Sequence, residues 1–224
     1  MAIDKTVFND GVIGDVANWL SANKDGYFDS VTLADNVISC YIGEQVVLTF
    51  EYSAPNANPS GTIIGITPIG ESTEIERYFS GSSTAMKYIF SGYKTSKGLV
   101  LCSTRGNGLV ICKDKDGNVC FVTASRVDLS GSYYNCEVWE IETSNTYYAF
   151  NAIPNDSSGT FTRLGASNAD MSLVPILGLN GNVLDGAYMS YHSPYIGDTL
   201  KGGIALQLGT SGNFAYTGIF ALAE

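Results

Sequence analysis

The stretch LVLCSTRGNGLVICKDKDGNVCFV, residues 99–122, constrains the fold more than any other part of the chain. Three apolar, β-branched runs at 99–104, 109–113 and 119–123 are separated by Arg-Gly-Asn-Gly and by Asp-Lys-Asp-Gly-Asn. Gly, Asn and Asp supply the left-handed backbone positions that tight β-turns need, so the pattern predicts two successive antiparallel hairpins. A chain built round such hairpins is expected to be mainly β, an antiparallel sandwich or a set of barrel-like sheets. Its 224 residues are enough for one large all-β domain or two small ones.

The same stretch holds Cys102, Cys112 and Cys120, three of five cysteines. A zinc site asks for C-x2-C pairs or nearby histidine, and intervals of ten and eight residues provide neither. Each of the three lies among Val, Leu, Ile or Phe, where a thiol behaves as a small buried hydrophobe. Buried free thiols are the reading, with disulfides as the alternative. The turn Asp114-Lys-Asp-Gly-Asn118 lacks the sixth-position Gly, the twelfth-position Glu and the flanking helices of a calcium loop, and reads as hairpin chemistry. No metal and no cofactor is expected.

Elsewhere the pattern divides the chain into an N-terminal helical segment (1–26), a β-rich body (27–153) and a Gly- and Tyr-rich β segment (154–224). Val12, Val16, Trp19 and Leu20 fall at helical spacing within 10–23, with Asn9 or Asp10 placed to cap the start and Asp25-Gly26 following the end. Runs at 27–33, 37–42 and 45–52 predict a three-stranded meander with a tight turn at Gly43. SAPNANPSG, 53–61, reads as a loop, and 62–69 as a strand. Thr73 and Glu76 fit a capping box before a short helical turn, while the following 76–94 reads equally as short helices or as strands, so one or two short helices near 73–91 are one of two open readings. Strands at 133–141 and 146–153 continue the body, with a polar loop at 154–159. From Val174 onward only Asp185, Asp198, Lys201 and Glu224 are charged, which predicts that much of this segment is buried against the body or a neighbouring subunit.

Net charge is −10, which argues against nucleic-acid binding through phosphate contacts. The charge is uneven: between Arg77 and Arg126 eight basic residues face two acidic ones, a local balance of +6 that leaves −16 for the remainder. Arg105, Lys113 and Lys115 belong to that basic region. Such asymmetry fits docking of one copy's basic region on another copy's acidic surface, or attraction of an anionic ligand. No secretory leader and no run of about 18 apolar residues is visible, so manufacture in a cytoplasm without membrane insertion is expected.

Catalytic patterns are scarce. His192 is the single histidine, in YMSYHSPY, and no G-x-S-x-G elbow accompanies it. Phosphate-binding Gly-rich loops are absent. Glu71, Glu74, Glu76, Glu137, Glu140 and Glu142 form a carboxylate pool from which a glycoside-hydrolase pair could be drawn, although Glu140 and Glu142 alternate with Trp139 and Ile141 as on a solvated strand face. Tyr188, Tyr191, His192 and Tyr195 are candidate ligand or interface residues, since a tyrosine offers both an apolar face and a hydroxyl to a sugar or a peptide.

The short N-terminal helix, the β-rich body with polar loops and the Gly-Tyr-rich close GTSGNFAYTGIFALAE together resemble tail- and baseplate-associated virion proteins of tailed bacteriophages. That resemblance implies a non-enzymatic homo-oligomer that contacts other virion proteins, is made in the host cytoplasm and ends in the virion. The alternative is a carbohydrate-binding or host-surface attachment module that takes a cell-surface glycan on Tyr-rich loops.

Overall fold

The computed structural model describes residues 4–9, 12–52, 62–79, 89–103, 108–126, 134–142, 146–150, 173–177, 183–190, 199–200, 203–204 and 219–222. In chain order its elements begin with β1 (Asp4–Val7), α1 (Ile13–Asn23), β2 (Ser30–Ala34), β3 (Val37–Ile42), β4 (Gln45–Tyr52), β5 (Thr62–Ile66) and β6 (Ile75–Phe79). The next six are β7 (Ile89–Lys94), β8 (Gly98–Ser103), β9 (Gly108–Asp114), β10 (Val119–Arg126), β11 (Tyr134–Glu140) and β12 (Thr146–Phe150). The last are β13 (Leu173–Leu177), β14 (Val183–Ser190), β15 (Thr199–Leu200), β16 (Gly203–Ile204) and β17 (Ile219–Leu222).

All described strand pairs are antiparallel, and their main path runs β1-β7-β8-β9-β10-β6-β5-β4-β3-β2. The path bends sharply at one place. β9 accompanies β10 only as far as Ala124, and beyond it a single partnership, Arg126 with Tyr78, hands the ladder to β6. The bend folds the path into a sandwich-like pair of layers, β2 to β6 against β7 to β11, which do not close into a barrel. Between them lies one core, with Ile38, Phe50, Ile64 and Phe79 from the first layer meeting Leu101, Ile111, Phe121 and Trp139 from the second.

Turn chemistry explains the meander. Asp35 and Asn36 both take positive φ, 50° and 63°, as a two-residue hairpin loop requires, and Gly43 takes 59° at the next turn. The turn at 114–118 is closed by the Asp114 carboxylate, which accepts from the backbone N–H of Asp116 (2.8 Å) and Asn118 (2.9 Å) while Gly117 sits at φ 92°. The expected hairpins and the turn reading both hold.

α1 begins three residues later than its pattern predicts. Val12 occupies the N-cap without a side-chain bond, and Asn9 instead donates from Nδ2 to the Asp15 carboxylate at 2.6 Å in the first turn. Asp10 lies outside the described residues. The buried stripe is Ile13, Val16, Ala17, Trp19 and Leu20, whereas Val12 is exposed. Because α1 packs on β2 and β7, it seals the side of the sandwich opposite the β10/β6 bend.

Of the two readings open near 73–91, the described residues take the strand, with 73–74 irregular ahead of it. Ile75–Phe79 is β6, and Ile89–Lys94 is β7; residues 80–88 lie outside the described set. A capping box is a local signal, and here pairing overrides it, because β6 finds β5 along its whole length from Ile75 to Phe79. The loops at 53–61 and 154–159 are also outside the described residues.

The central strands are buried on both faces. On β9, Leu109 and Ile111 face the core while Val110 and Cys112 face away from it, and all four are buried. This explains why 99–122 reads as continuous apolar runs instead of an alternating pattern. From the C-terminal segment, β14 pairs with β13 and β17 and joins β9 through Leu184 with Asp114 and Asp185 with Lys113, and Leu184 and Ala187 are buried.

Candidate functional site

The basic region comes together only in part. Lys113, at the rim of the core, stands directly opposite Asp185 in the β9/β14 register, and its ammonium lies 5.8 Å from the centre of the Tyr27 ring. Lys97, in the β7/β8 turn, forks onto the same Asp185 carboxylate at 2.8 and 2.9 Å. Lys115 is exposed in the next turn, where its backbone N–H donates to the Val183 carbonyl at 3.1 Å. Lys97 and Lys113 thus border the Asp185 carboxylate, Lys113 also the Tyr27 ring, while Lys115 meets the same strand through its backbone. Burial first, then the neighbouring Cys112 and Asp185, pushes the Tyr27 hydroxyl up to about 12.

Other basic residues of the region are engaged inside the chain. Arg77 is buried and donates through Nε and Nη2 to the two oxygens of Glu137, the latter at 2.8 Å, while Nη1 reaches the Glu76 carbonyl at 2.7 Å. Its guanidinium lies 5.1 Å from the Trp139 ring, whose Nε1 donates to Thr123 at 3.2 Å. Lys94 stands opposite Asp4 at the edge of the sheet. Of the eight basic residues, Arg77 and Lys97 thus meet carboxylates of the same chain, at Glu137 and Asp185, while Lys87 lies outside the described residues. Arg105 lies outside the described residues.

The carboxylate pool separates in the same way. Glu137 and Trp139 point to the core side of β11, and Glu140 to the opposite side, so Glu137 and Glu140 do not share a cleft. Glu140 corrects the expectation of a solvated strand face: it is 2% exposed, because both faces of β11 are covered. Glu142 is exposed and accepts from the backbone N–H of Val119 at 2.9 Å. Glu74 accepts from Thr49 at 2.8 Å and Glu76 from Tyr78 at 2.5 Å, both on the outer side of the β4-β5-β6 ladder.

That outer side carries a feature easily overlooked in the sequence. Residues 25–76 contain eight carboxylates and no Lys, Arg or His. All eight carboxylate residues are exposed, and Asp25 meets Lys24 at 3.7 Å. A running charge count along the sequence carries this signal, immediately ahead of the basic block that begins at Arg77.

Tyr188 lies within β14, opposite Pro175 on one side and Ala221 on the other, and so belongs to a paired strand instead of a loop. Tyr191, His192 and Tyr195 lie outside the described residues. Cys40, Cys102, Cys112 and Cys120 are buried free thiols, as the sequence predicts for the last three. Among the described residues no three or more His, Cys, Asp or Glu side chains gather as a metal-binding group. No family model, curated protein or solved structure matches this chain.

Proposed function

We propose that the protein is a non-enzymatic virion structural component that self-assembles as part of a phage tail or baseplate. One observation carries the assembly reading: the main sheet path ends on two strands, β1 and β2, each paired on one side only among the described residues. Val7 on β1 and Leu33 on β2 are 55% and 45% exposed, and Val12, just before α1, is also exposed. Open edges with apolar side chains are templates for pairing, and a monomer ordinarily blunts them with Lys, Pro or a bulge. β2 holds none of these devices along Ser30–Ala34, and its residues stay half-buried or exposed although α1 packs against the strand.

The charge distribution adds to this reading. A base-free acidic layer at 25–76 meets its complement on a partner, since Arg77 and Lys97 are held within the chain. The specific assignment to a tail or baseplate rests on the resemblance of the N-terminal helix, β-body and Gly-Tyr-rich close. Light scattering of the full chain from about 1 to 300 μM tests the proposal. Concentration-dependent or stable oligomers are the expected result, and a strict monomer throughout overturns it.

A further inference from the structure

Cys112 and Cys120 are directly opposite each other on β9 and β10. Residues so placed in an antiparallel pair have Cα atoms about 4.5–5.5 Å apart and side chains on the same face. A disulfide accepts about 4.4–6.8 Å between Cα atoms, so the register of this pair is compatible with the bond. The other described thiols have no such partner. Cys102 faces Gly108 and contacts the Ser91 hydroxyl at 3.1 Å, and Cys40 faces Val31 and Leu48.

We propose that Cys112 and Cys120 are a paired dithiol that closes into a cross-strand disulfide when the protein meets a two-electron oxidant such as a peroxide. Cys120 reacts first, its Sγ being turned toward the turn at the Asn118 carbonyl, 3.7 Å away. The Cys120 thiolate attacks one peroxide oxygen and breaks the O–O bond, giving a sulfenic acid and hydroxide. The Cys112 sulfur then attacks the Cys120 sulfur, forming S–S and expelling the sulfenic oxygen as a second water. Two thiols and one hydrogen peroxide become one disulfide and two waters, and the thiol protons leave in those waters.

Both thiols are fully buried, and burial raises both pKa values, that of Cys120 to about 12. Reaction is therefore slow and passes through opening of the hairpin end, which also holds the junction with β14 at Asp114 and Leu184. Once formed, the bond is a covalent rung beside that junction. This inference is independent of the assembly role, since it concerns one hairpin of a single chain.

The test is peptide mapping of the full-length chain after native treatment with hydrogen peroxide, followed by alkylation in denaturant and tryptic digestion without reductant. Cleavage at Arg105, Lys113, Lys115 and Arg126 places the two cysteines on separate peptides, 106–113 and 116–126. Expected is one species joining these peptides, lighter by two hydrogens than their sum, released by dithiothreitol and accompanied by a melting temperature several degrees higher. Cys112→Ser abolishes it and Cys102→Ser leaves it intact. Joined peptides pairing other cysteines, sulfinic or sulfonic acid on Cys120 without a cross-link, or full alkylation of both thiols would each overturn the proposal, and the wild-type map decides it even if a variant fails to fold.

Discussion

Gly92 lies on β7 where an added Cβ would stand 2.8 Å from Trp19 Cε2 and 2.9 Å from Phe8 Cζ, two rings that pack edge to face with centroids 5.9 Å apart. Neither ring can retreat, because both are buried, Trp19 on the inner face of α1 and Phe8 against it. Gly92→Ala is expected to cost about 1–3 kcal/mol by overpacking, read as a lower urea midpoint with unchanged slope. Arg77 and Glu137 present the other residue-scale hazard, a buried charge that depends on its partner. Arg77→Met alone is expected to destabilise by about 3–5 kcal/mol, and the double variant Arg77→Met with Glu137→Leu by distinctly less, which a double-mutant cycle of urea melts will resolve. Ionisation gives a third expectation at this scale. Burial raises the thiols of Cys40, Cys102, Cys112 and Cys120, and the Tyr27 hydroxyl goes to about 12. Groups whose folded pKa is raised keep their protons in the folded chain after the unfolded chain has lost them. Stability is therefore expected to be flat with respect to these groups below about pH 8.5 and to fall steadily from about pH 9 to 12. Urea melts across that range check it, and a stability that rises with pH there would contradict the burial of these groups.

At the scale of elements, the joint between β9 and β14 rests on apolar packing more than on its visible ion pair. Lys97 and Asp185 are 35% and 52% exposed, and such pairs are worth about 0–1 kcal/mol. Leu184, next to Asp185, is 1% exposed and stands opposite Asp114. Leu184→Ala is expected to cost about 2–4 kcal/mol and Asp185→Asn less than about 1 kcal/mol, measured side by side by thermal unfolding. β6 shows the same priority of packing over local signal. Ile75, Arg77 and Phe79 point inward while Glu76 and Tyr78 point outward, an alternation of period two that the neighbouring capping-box residues conceal.

At the scale of the molecule, the bend at β10/β6 and the helix opposite it turn one long antiparallel path into two layers round a common core. The arrangement leaves β1 and β2 as edges and collects the base-free acidic stretch on one layer. If β2 is the contact edge of the assembly, Leu33→Lys places a charge there at little cost to the monomer. Light scattering is then expected to show loss of oligomer, with unfolding free energy changed by less than about 0.5 kcal/mol. An oligomer unaffected by Leu33→Lys would move the contact to another surface.

By itself the sequence determined the local alphabet of this fold. Gly43, Asp114 and Gly117 announce their turns because a left-handed backbone or a side-chain-closed loop has few chemical solutions, and the runs at 37–42 and 45–52 coincide with β3 and β4. The thiols were legible as buried because their neighbours are apolar on both sides. Only the tertiary structure decided which carboxylates face water, that Arg77 reaches Glu137 sixty residues away, and that β14 returns to β9. Those outcomes depend on which strands meet, and a strand's edge hydrogen bonds accept any partner of suitable register. Nothing in Glu140 or its neighbours names the layer that covers it, so a residue that alternates as if solvated lies 2% exposed in a sheet buried from both sides.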